Sequence, residues 1–180
     1  DELIANGKSD NWRRSRRGFY VGSEKLRGIQ VDRRLSRKLC EDFSELLACR
    51  QSDDDRMPFR MFGFETDSGW FPVIYLTLQQ LSHVQKRTGE KIIINQIKEK
   101  FGTLRIYVVG SDAVQTVAEQ AMEQSVHVCE VCGRPGTLRT DGWFKVRCGD
   151  HVINGNYDLE PFILEMLEAV DLPTGPAPSE

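Results

Sequence analysis

The chain has 180 residues, of which 39% are apolar and 28% charged, a balance typical of a soluble globular protein. No apolar run in this sequence approaches the roughly 20 residues that a membrane-spanning helix needs. The net charge of -3 is uneven: residues 1–40 hold eleven Lys/Arg against five acids, and residues 41–67 hold three against eight. Nucleic-acid binding is therefore open to the N-terminal region but is not predicted for the whole chain.

The first residues and the cysteines together indicate the redox compartment. The start, DELIANGKSD, lacks the basic region and apolar core of a signal peptide, so we expect a cytoplasmic protein. Since the chain does not begin with Met, we also expect that N-terminal residues are missing from it. In a reducing cytoplasm, clustered cysteines indicate metal or redox chemistry before structural disulfides.

Residues 1–57 are predicted to form a basic N-terminal arm and a helix. Four arginines of the arm lie between aromatic residues, namely Arg13, Arg14, Arg16 and Arg17. One interpretation is that they contact phosphates or a protein partner. The other is that the aromatic side chains dock on the domain while the arginines stay solvated, because terminal segments are often polar.

The helix of this region is predicted over residues 32–49, with Asp32 as its N-cap. Its apolar face contains Leu35, Leu39, Phe43, Leu46 and Leu47. Cys40 and Cys49 lie on or near that face, and we interpret both as ordinary thiols. The acidic triplet at 53–55 follows in a polar linker, where consecutive carboxylates do not converge on one cation.

An α+β core is predicted over residues 58–127. It begins with a short aromatic strand that contains Phe59, Met61 and Phe64. A helix over 71–87 follows and stops at Gly89. Glu65 and Asp67 precede this helix, and we interpret them as capping or solvated carboxylates rather than a catalytic pair, because no His or Lys lies nearby in sequence.

The second part of the core is predicted to be a β-hairpin followed by a helix. We expect the strand 91–98 to alternate, with Ile93, Asn95 and Ile97 on one side and Ile92, Ile94 and Gln96 on the other. The strand 103–109 follows after a short turn. A helix over 112–126 then runs straight into a cysteine cluster, so the two regions should be mechanically joined.

The segment 128–172 is predicted to be a zinc finger with a C-terminal helix, and the Pro-rich residues 173–180 to be a disordered tail. Two pairs, CxxC and CxxH, are separated by fifteen residues, and a hairpin around Asp141 and Gly142 lets them meet. The predicted ligands are Cys129, Cys132, Cys148 and His151. Zinc takes such donors in zinc ribbons and treble-clef fingers. Because four protein ligands leave no position open for water, we predict one structural Zn²⁺ and no catalytic residue.

Other interpretations of the cluster are weaker. A thioredoxin-type CxxC normally opens a helix, whereas here Pro135 and Gly136 indicate a turn. A disulfide would leave one cysteine and the histidine unexplained. His127 could compete with His151 as the fourth ligand, but the symmetry of the two pairs favours His151. A nuclease of the HNH type would have a histidine in the hairpin, and TLRTDGWFKVR has none.

Three phrases resemble a family of small, largely uncharacterised phage and prophage proteins with a C-terminal zinc finger: GFETDSGWFPVI, NQIKEKFGTLRIYV and CEVCGRPG…GWFKVRCGDH. The resemblance covers about residues 60–151. It implies an accessory protein expressed inside a bacterial host cell, and only the four Cys and His residues transfer, as zinc ligands. Lys98, Lys100 and Arg105 belong to the middle phrase, where they form either a charged hairpin or a basic contact surface for nucleic acid or a partner.

Together these features predict an α+β fold, in which a small antiparallel sheet packs against helices and a treble-clef or zinc-ribbon-like finger follows. The predicted function is that of a non-enzymatic, zinc-stabilised interaction protein of a phage or prophage, which binds a host protein complex such as one of anti-phage defence. The alternative is a nucleic-acid-binding regulator that uses the N-terminal arm. A hydrolase that uses Glu65 and Asp67 is the least favoured hypothesis.

Overall fold

The computed structural model describes residues 31–47, 63–152 and 158–171. Several predictions fall outside these ranges: those on the arginines of the N-terminal arm, on Cys49, on the acidic triplet, on Phe59 and Met61, and on the C-terminal tail. The described helices are α1 (Arg33–Asp42), α2 (Ser44–Leu47), α3 (Phe71–Thr88), α4 (Asp112–Ser125) and α5 (Glu160–Asp171). The described strands are β1 (Phe64–Glu65), β2 (Ile93–Lys100), β3 (Thr103–Val109), β4 (Thr137–Arg139) and β5 (Lys145–Arg147).

Helices α1 and α2 occupy most of the predicted helix 32–49. The Asp32 side chain accepts a hydrogen bond from the backbone N–H of Arg34 at 2.8 Å, so the predicted N-cap is confirmed. The predicted helix is not continuous, because the backbone of Phe43 leaves the helical region at φ -120° and ψ 35°. At this break the Phe43 ring packs edge-on against the Tyr75 ring, with centroids 5.0 Å apart.

The fold is mixed α/β, with a small sheet packed on helices. Strand β2 pairs antiparallel with β3 as predicted, but β1 joins β2 in parallel, so the sheet is mixed rather than wholly antiparallel. Helix α4 packs along β3 and against α3. The core between sheet and helices includes Trp70, Phe71, Ile74, Leu78, Ile97 and Leu104.

The predicted alternation along β2 is wrong at one point. The pairing with β3 shifts by one residue between Ile94 and Gln96, which is a β-bulge. The extra residue places Ile92, Ile94 and Ile97 in the core together. Strict period-2 alternation would have placed Ile97 on the opposite face from Ile92 and Ile94.

The hairpin between β2 and β3 turns at two residues with positive φ, Phe101 at 53° and Gly102 at 70°. Such a turn matches the right-handed twist of its strands. A Cβ at Gly102 would lie 2.4 Å from Leu138 Cδ1 on β4, so the Leu138 side chain would have to shift.

Helix α3 follows the sequence prediction closely. Pro72 lies in its first turn, and Gly89 ends it in the left-handed conformation at φ 71°. Of the helices within the described ranges, none combines the length and apolar character that crossing a membrane requires.

The C-terminal segment shares the core of the preceding part. Val146 of β5 and Ile163 and Met166 of α5 belong to the same buried cluster as the residues of the sheet and α3. The β4–β5 hairpin, which lies between the two halves of the cysteine cluster, is therefore packed directly on the α/β part of the chain, as the closeness of the cluster to α4 in sequence predicted.

Candidate metal centre

The first cysteine pair lies on a tight turn that follows α4. The backbone N–H of Cys129 donates to the carbonyl of Arg134 at 2.7 Å, and the N–H of Gly133 donates to the carbonyl of Cys129 at 2.9 Å. Gly133 adopts a φ of 77°, which a residue with a side chain rarely does. These constraints place both thiols on the same side of the turn, which is called the knuckle below (residues 129–133).

The second pair is brought to the knuckle by the β4–β5 hairpin. The N–H of Glu130 donates to the carbonyl of Val146 at 3.1 Å, which ties the knuckle to β5. Cys148 follows β5 directly, and a short 3-10 turn, Gly149–His151, then directs His151 back toward the thiols. The hairpin connection spans residues 140–144, so it is longer than the two-residue Asp-Gly turn predicted from the sequence.

The four predicted ligands lie together and could hold a metal ion. Their ligand atoms, three Sγ and one ring nitrogen, all lie within 4.8 Å of one another. The Cys132 and Cys148 sulfurs are 3.7 Å apart, and His151 Nδ1 is 3.6 Å from Cys129 Sγ and 3.2 Å from Cys148 Sγ. Bonds of about 2.3 Å to sulfur and about 2.0 Å to nitrogen give tetrahedron edges of about 3.5–3.8 Å around Zn²⁺. Three of the six distances, at 3.2–3.7 Å, are therefore close to the edges of a zinc tetrahedron, and all six lie within 4.8 Å.

The pKa values of three of the four clustered groups are shifted by their surroundings. Burial raises the pKa of Cys132 to about 12, so its thiol resists ionisation without a nearby positive charge. Burial also acts to raise the pKa of Cys148, but the backbone N–H of Asp150 and the neighbouring thiols outweigh it and lower that pKa. Burial lowers the pKa of His151, which favours the neutral imidazole that binds metals.

A buried network of ion pairs lies beneath the knuckle. Glu130, between the first two cysteines, is fully buried, and burial raises its pKa to about 7. Its carboxylate lies 2.6 Å from Arg147 Nη1 and 3.5 Å from Lys145 Nζ. Lys145 also contacts Glu99 on β2 at 3.2 Å, and Arg147 contacts Asp67 at 3.4 Å. The network therefore joins the finger to the sheet and to the segment before α3.

The segment before α3 packs against the knuckle through backbone contacts. The N–H of Gly69 donates to the carbonyl of Glu130 at 2.8 Å, and Trp70 Nε1 donates to the carbonyl of Val128 at 2.8 Å. A Cβ at Gly69 would lie 2.2 Å from the Cys129 carbonyl oxygen and 2.6 Å from the Cys132 nitrogen. Only glycine leaves room for this approach.

The other predicted site residues are dispersed. His127 is not among the four clustered ligands, and its carbonyl accepts from the N–H of Gly136 at 2.8 Å. Glu65 accepts from Gln96 Nε2 at 2.6 Å. Asp67 precedes the 3-10 turn before α3 but makes no capping hydrogen bond with its side chain, and pairs instead with Arg147, so the capping interpretation is wrong for Asp67.

The structure also places Cys40 and the basic residues predicted for the β2–β3 hairpin. Cys40 is a partly buried thiol packed against the core, as expected for an ordinary cysteine. Lys98, Lys100 and Arg105 lie on paired strands of the β2–β3 hairpin.

Sequence reasoning missed Glu130 and Arg147. An acid inside the CxxC and an arginine directly before the third cysteine are weak signals, although each stands next to a ligand. Their roles depend on long-range pairing that local patterns do not reveal.

Comparison with models of known protein families, with curated proteins and with solved structures gave no match for this chain. The interpretation of the cluster therefore depends on the chemistry and spacing of its own residues.

Proposed function

We propose that the cluster binds one structural Zn²⁺ through Cys129, Cys132, Cys148 and His151, in a finger of the treble-clef or zinc-ribbon type. The observation that carries the proposal is that four ligand atoms lie within 4.8 Å of one another, with three of their distances at 3.2–3.7 Å. Three thiolates and one imidazole are borderline-soft donors, which suit Zn²⁺. The ion would supply the positive charge that lets the buried thiols ionise.

We propose further that the protein is not an enzyme. Four protein ligands complete a tetrahedral shell, and a catalytic zinc needs one position left for water or substrate. The carboxylates beneath the knuckle are held by Lys145 and Arg147, which suits the joining of two parts of the fold better than proton transfer.

The function that we propose is interaction with a partner, presented by the zinc-stabilised finger. The β4–β5 connection exposes Trp143, with 91% of its surface accessible. Tryptophan is enriched among the residues that dominate protein interfaces, and its neighbour Phe144 is also exposed. The resemblance to phage and prophage proteins supports a host protein complex in the bacterial cytoplasm as that partner, such as one of anti-phage defence.

Affinity capture of the full chain from a bacterial host tests this proposal. We expect a defined protein complex to copurify with the parent chain and to be lost with Trp143→Ser. Leu76→Ser is the matched control, because Leu76 is also exposed, at 52%, but lies on α3. Equal recovery from both variants, or no partner with the parent, would contradict the proposal.

A further inference from the structure

The face of the β2–β3 hairpin that points away from the core carries basic residues on both strands, with aromatic residues near them. Ile97 and Ile106 are paired and buried, so the neighbouring pair, Lys98 and Arg105, lies on the opposite face of the sheet. Tyr107 lies on that same outer face, two residues along β3. The name outer sheet face is used below for Lys98, Lys100, Arg105 and Tyr107 on the two strands together with Phe101 in the turn between them.

Within the described part of the chain, the cations of the outer sheet face have no acidic partner in an ion pair. Across residues 31–47, 63–152 and 158–171, no carboxylate forms an ion pair with Lys98, Lys100 or Arg105. Glu65 pairs with Lys98 in strand register, but its carboxylate accepts from Gln96 Nε2.

Arg105 is poorly satisfied within the described part of the fold. Its guanidinium lies against the Met122 sulfur, and its Nε is buried without a hydrogen-bond acceptor. Like charges directly opposite in an antiparallel pair destabilise a sheet, and Lys98 and Arg105 are such a pair. An anion bound between the strands would remove that repulsion.

Each aromatic ring of this face has a lysine ammonium over it, in a cation–π contact. Lys98 Nζ lies 5.9 Å from the Tyr107 ring centroid, and Lys100 Nζ lies 5.6 Å from the Phe101 centroid. The two rings are 41% and 65% exposed. A base that stacks on one of these rings would take the place of the ammonium, which could then move to the phosphate of the same nucleotide.

We propose that the outer sheet face binds single-stranded nucleic acid. Unstacked bases can reach exposed rings on a flat strand pair, whereas the stacked bases of a duplex cannot. An acidic peptide would neutralise the cations but would leave the rings without a stacking partner. This ligand goes beyond the protein partner proposed for Trp143.

The strength of the electrostatic contribution can be stated in advance. Three phosphate contacts give a slope of about -2 for log affinity against log salt on a single strand. Raising the salt fourfold, from 50 to 200 mM, should therefore weaken binding about twentyfold. Loss of one stacking ring should weaken it at least about fivefold.

Fluorescence anisotropy with labelled 15-nucleotide oligothymidylate and oligouridylate tests the proposal on the full, zinc-loaded chain. Lys98→Gln/Lys100→Gln should lower the salt slope to about -0.7, since one phosphate contact is left. Tyr107→Ser should weaken binding at low and high salt alike, while Tyr107→Phe should retain it.

The matched control is Lys86→Gln/Arg87→Gln, which removes two exposed charges from the last turn of α3. These residues precede the start of β2, whose eight residues extend about 25 Å toward the Phe101 turn. The control should bind as the parent does. A second comparison replaces Arg13, Arg14, Arg16 and Arg17 by glutamine and should leave the effect of Tyr107→Ser unchanged.

Several results would overturn the proposal. They are equal affinity of the parent and the Lys98→Gln/Lys100→Gln variant, equal affinity for a duplex of the same length, and binding of a labelled 15-residue glutamate peptide with no binding of either oligonucleotide. Zinc content is measured in the same samples. A metal-free parent that still binds oligonucleotides would contradict only the proposed structural Zn²⁺. A zinc-loaded parent that binds no oligonucleotide would contradict only the proposed nucleic-acid binding by the outer sheet face.

Discussion

Replacement of Gly69 by alanine should disrupt the contact between the knuckle and the segment before α3. The new Cβ would lie 2.2 Å from the Cys129 carbonyl oxygen and 2.6 Å from the nitrogens of Cys132 and Gly133. All three are backbone atoms of a turn fixed by its own hydrogen bonds, so no side chain can rotate away. The two segments must separate, and the 2.8 Å hydrogen bond from Gly69 to Glu130 is lost.

The expected loss of stability follows from these contacts. Overpacking of a well-packed site costs about 1–3 kcal/mol. The lost hydrogen bond adds about 1 kcal/mol, and the smaller backbone entropy of unfolded alanine returns about 0.4–1 kcal/mol. The free energy of unfolding should thus fall by about 2–3 kcal/mol, which lowers the melting temperature by roughly 5–10 °C in a chain of this size.

Urea unfolding of the zinc-loaded protein, followed by circular dichroism, measures this difference. Gly149→Ala is the matched control, because a Cβ at Gly149 meets nothing within 4 Å although it too lies beside the cluster. The control should be neutral or slightly stabilising. Stability of Gly69→Ala within about 0.5 kcal/mol of the control would refute the close backbone approach, since overpacking alone costs more.

Three further substitutions test other contacts by the same urea assay. Arg147→Met should lower the free energy of unfolding by about 3 kcal/mol, because the buried carboxylate of Glu130 is then left with one distant cation, Lys145. A Glu130→Met/Arg147→Met double variant should recover most of that loss. A double variant as unstable as the single one would argue against the ion pair. Trp70→Phe removes the hydrogen bond to the Val128 carbonyl and should cost about 1–2 kcal/mol, and an unchanged midpoint would contradict that bond. Asp32→Ala removes the α1 N-cap and should cost about 1 kcal/mol, whereas Asp32→Asn should retain most of it.

The elements that the sequence predicted well are those whose signals are local. Pro72 and Gly89 bracket α3, and Asp32 begins α1, because each residue type has its own backbone preference or capping hydrogen bond. The β-bulge near Asn95 and the helix break at Phe43 were not predictable in this way. Both result from packing against distant parts of the chain, which override the local period.

The candidate site also has features that local sequence patterns predict and features that they do not. The spacing of the cysteines and His151 predicted a cluster because each pair sits on one turn and the hairpin between them closes the loop. The ionic contacts of Glu130 and the fit of Gly69 on the knuckle join residues about 60 apart in sequence or belong to separate elements. No local pattern marks such contacts, so they required the three-dimensional structure.

Zinc content measured by elemental mass spectrometry on parent and variant proteins tests the central claim most directly. The parent and Cys40→Ser should each carry about one Zn²⁺ per chain, because Cys40 packs in the core away from the four ligands. Cys148→Ser should lose the ion, and chelation of the parent should lower its melting temperature toward that of Cys148→Ser, since metal binding is coupled to folding. A freshly purified parent without zinc, or a Cys148→Ser variant that binds and melts as the parent does, would contradict a metal-stabilised finger.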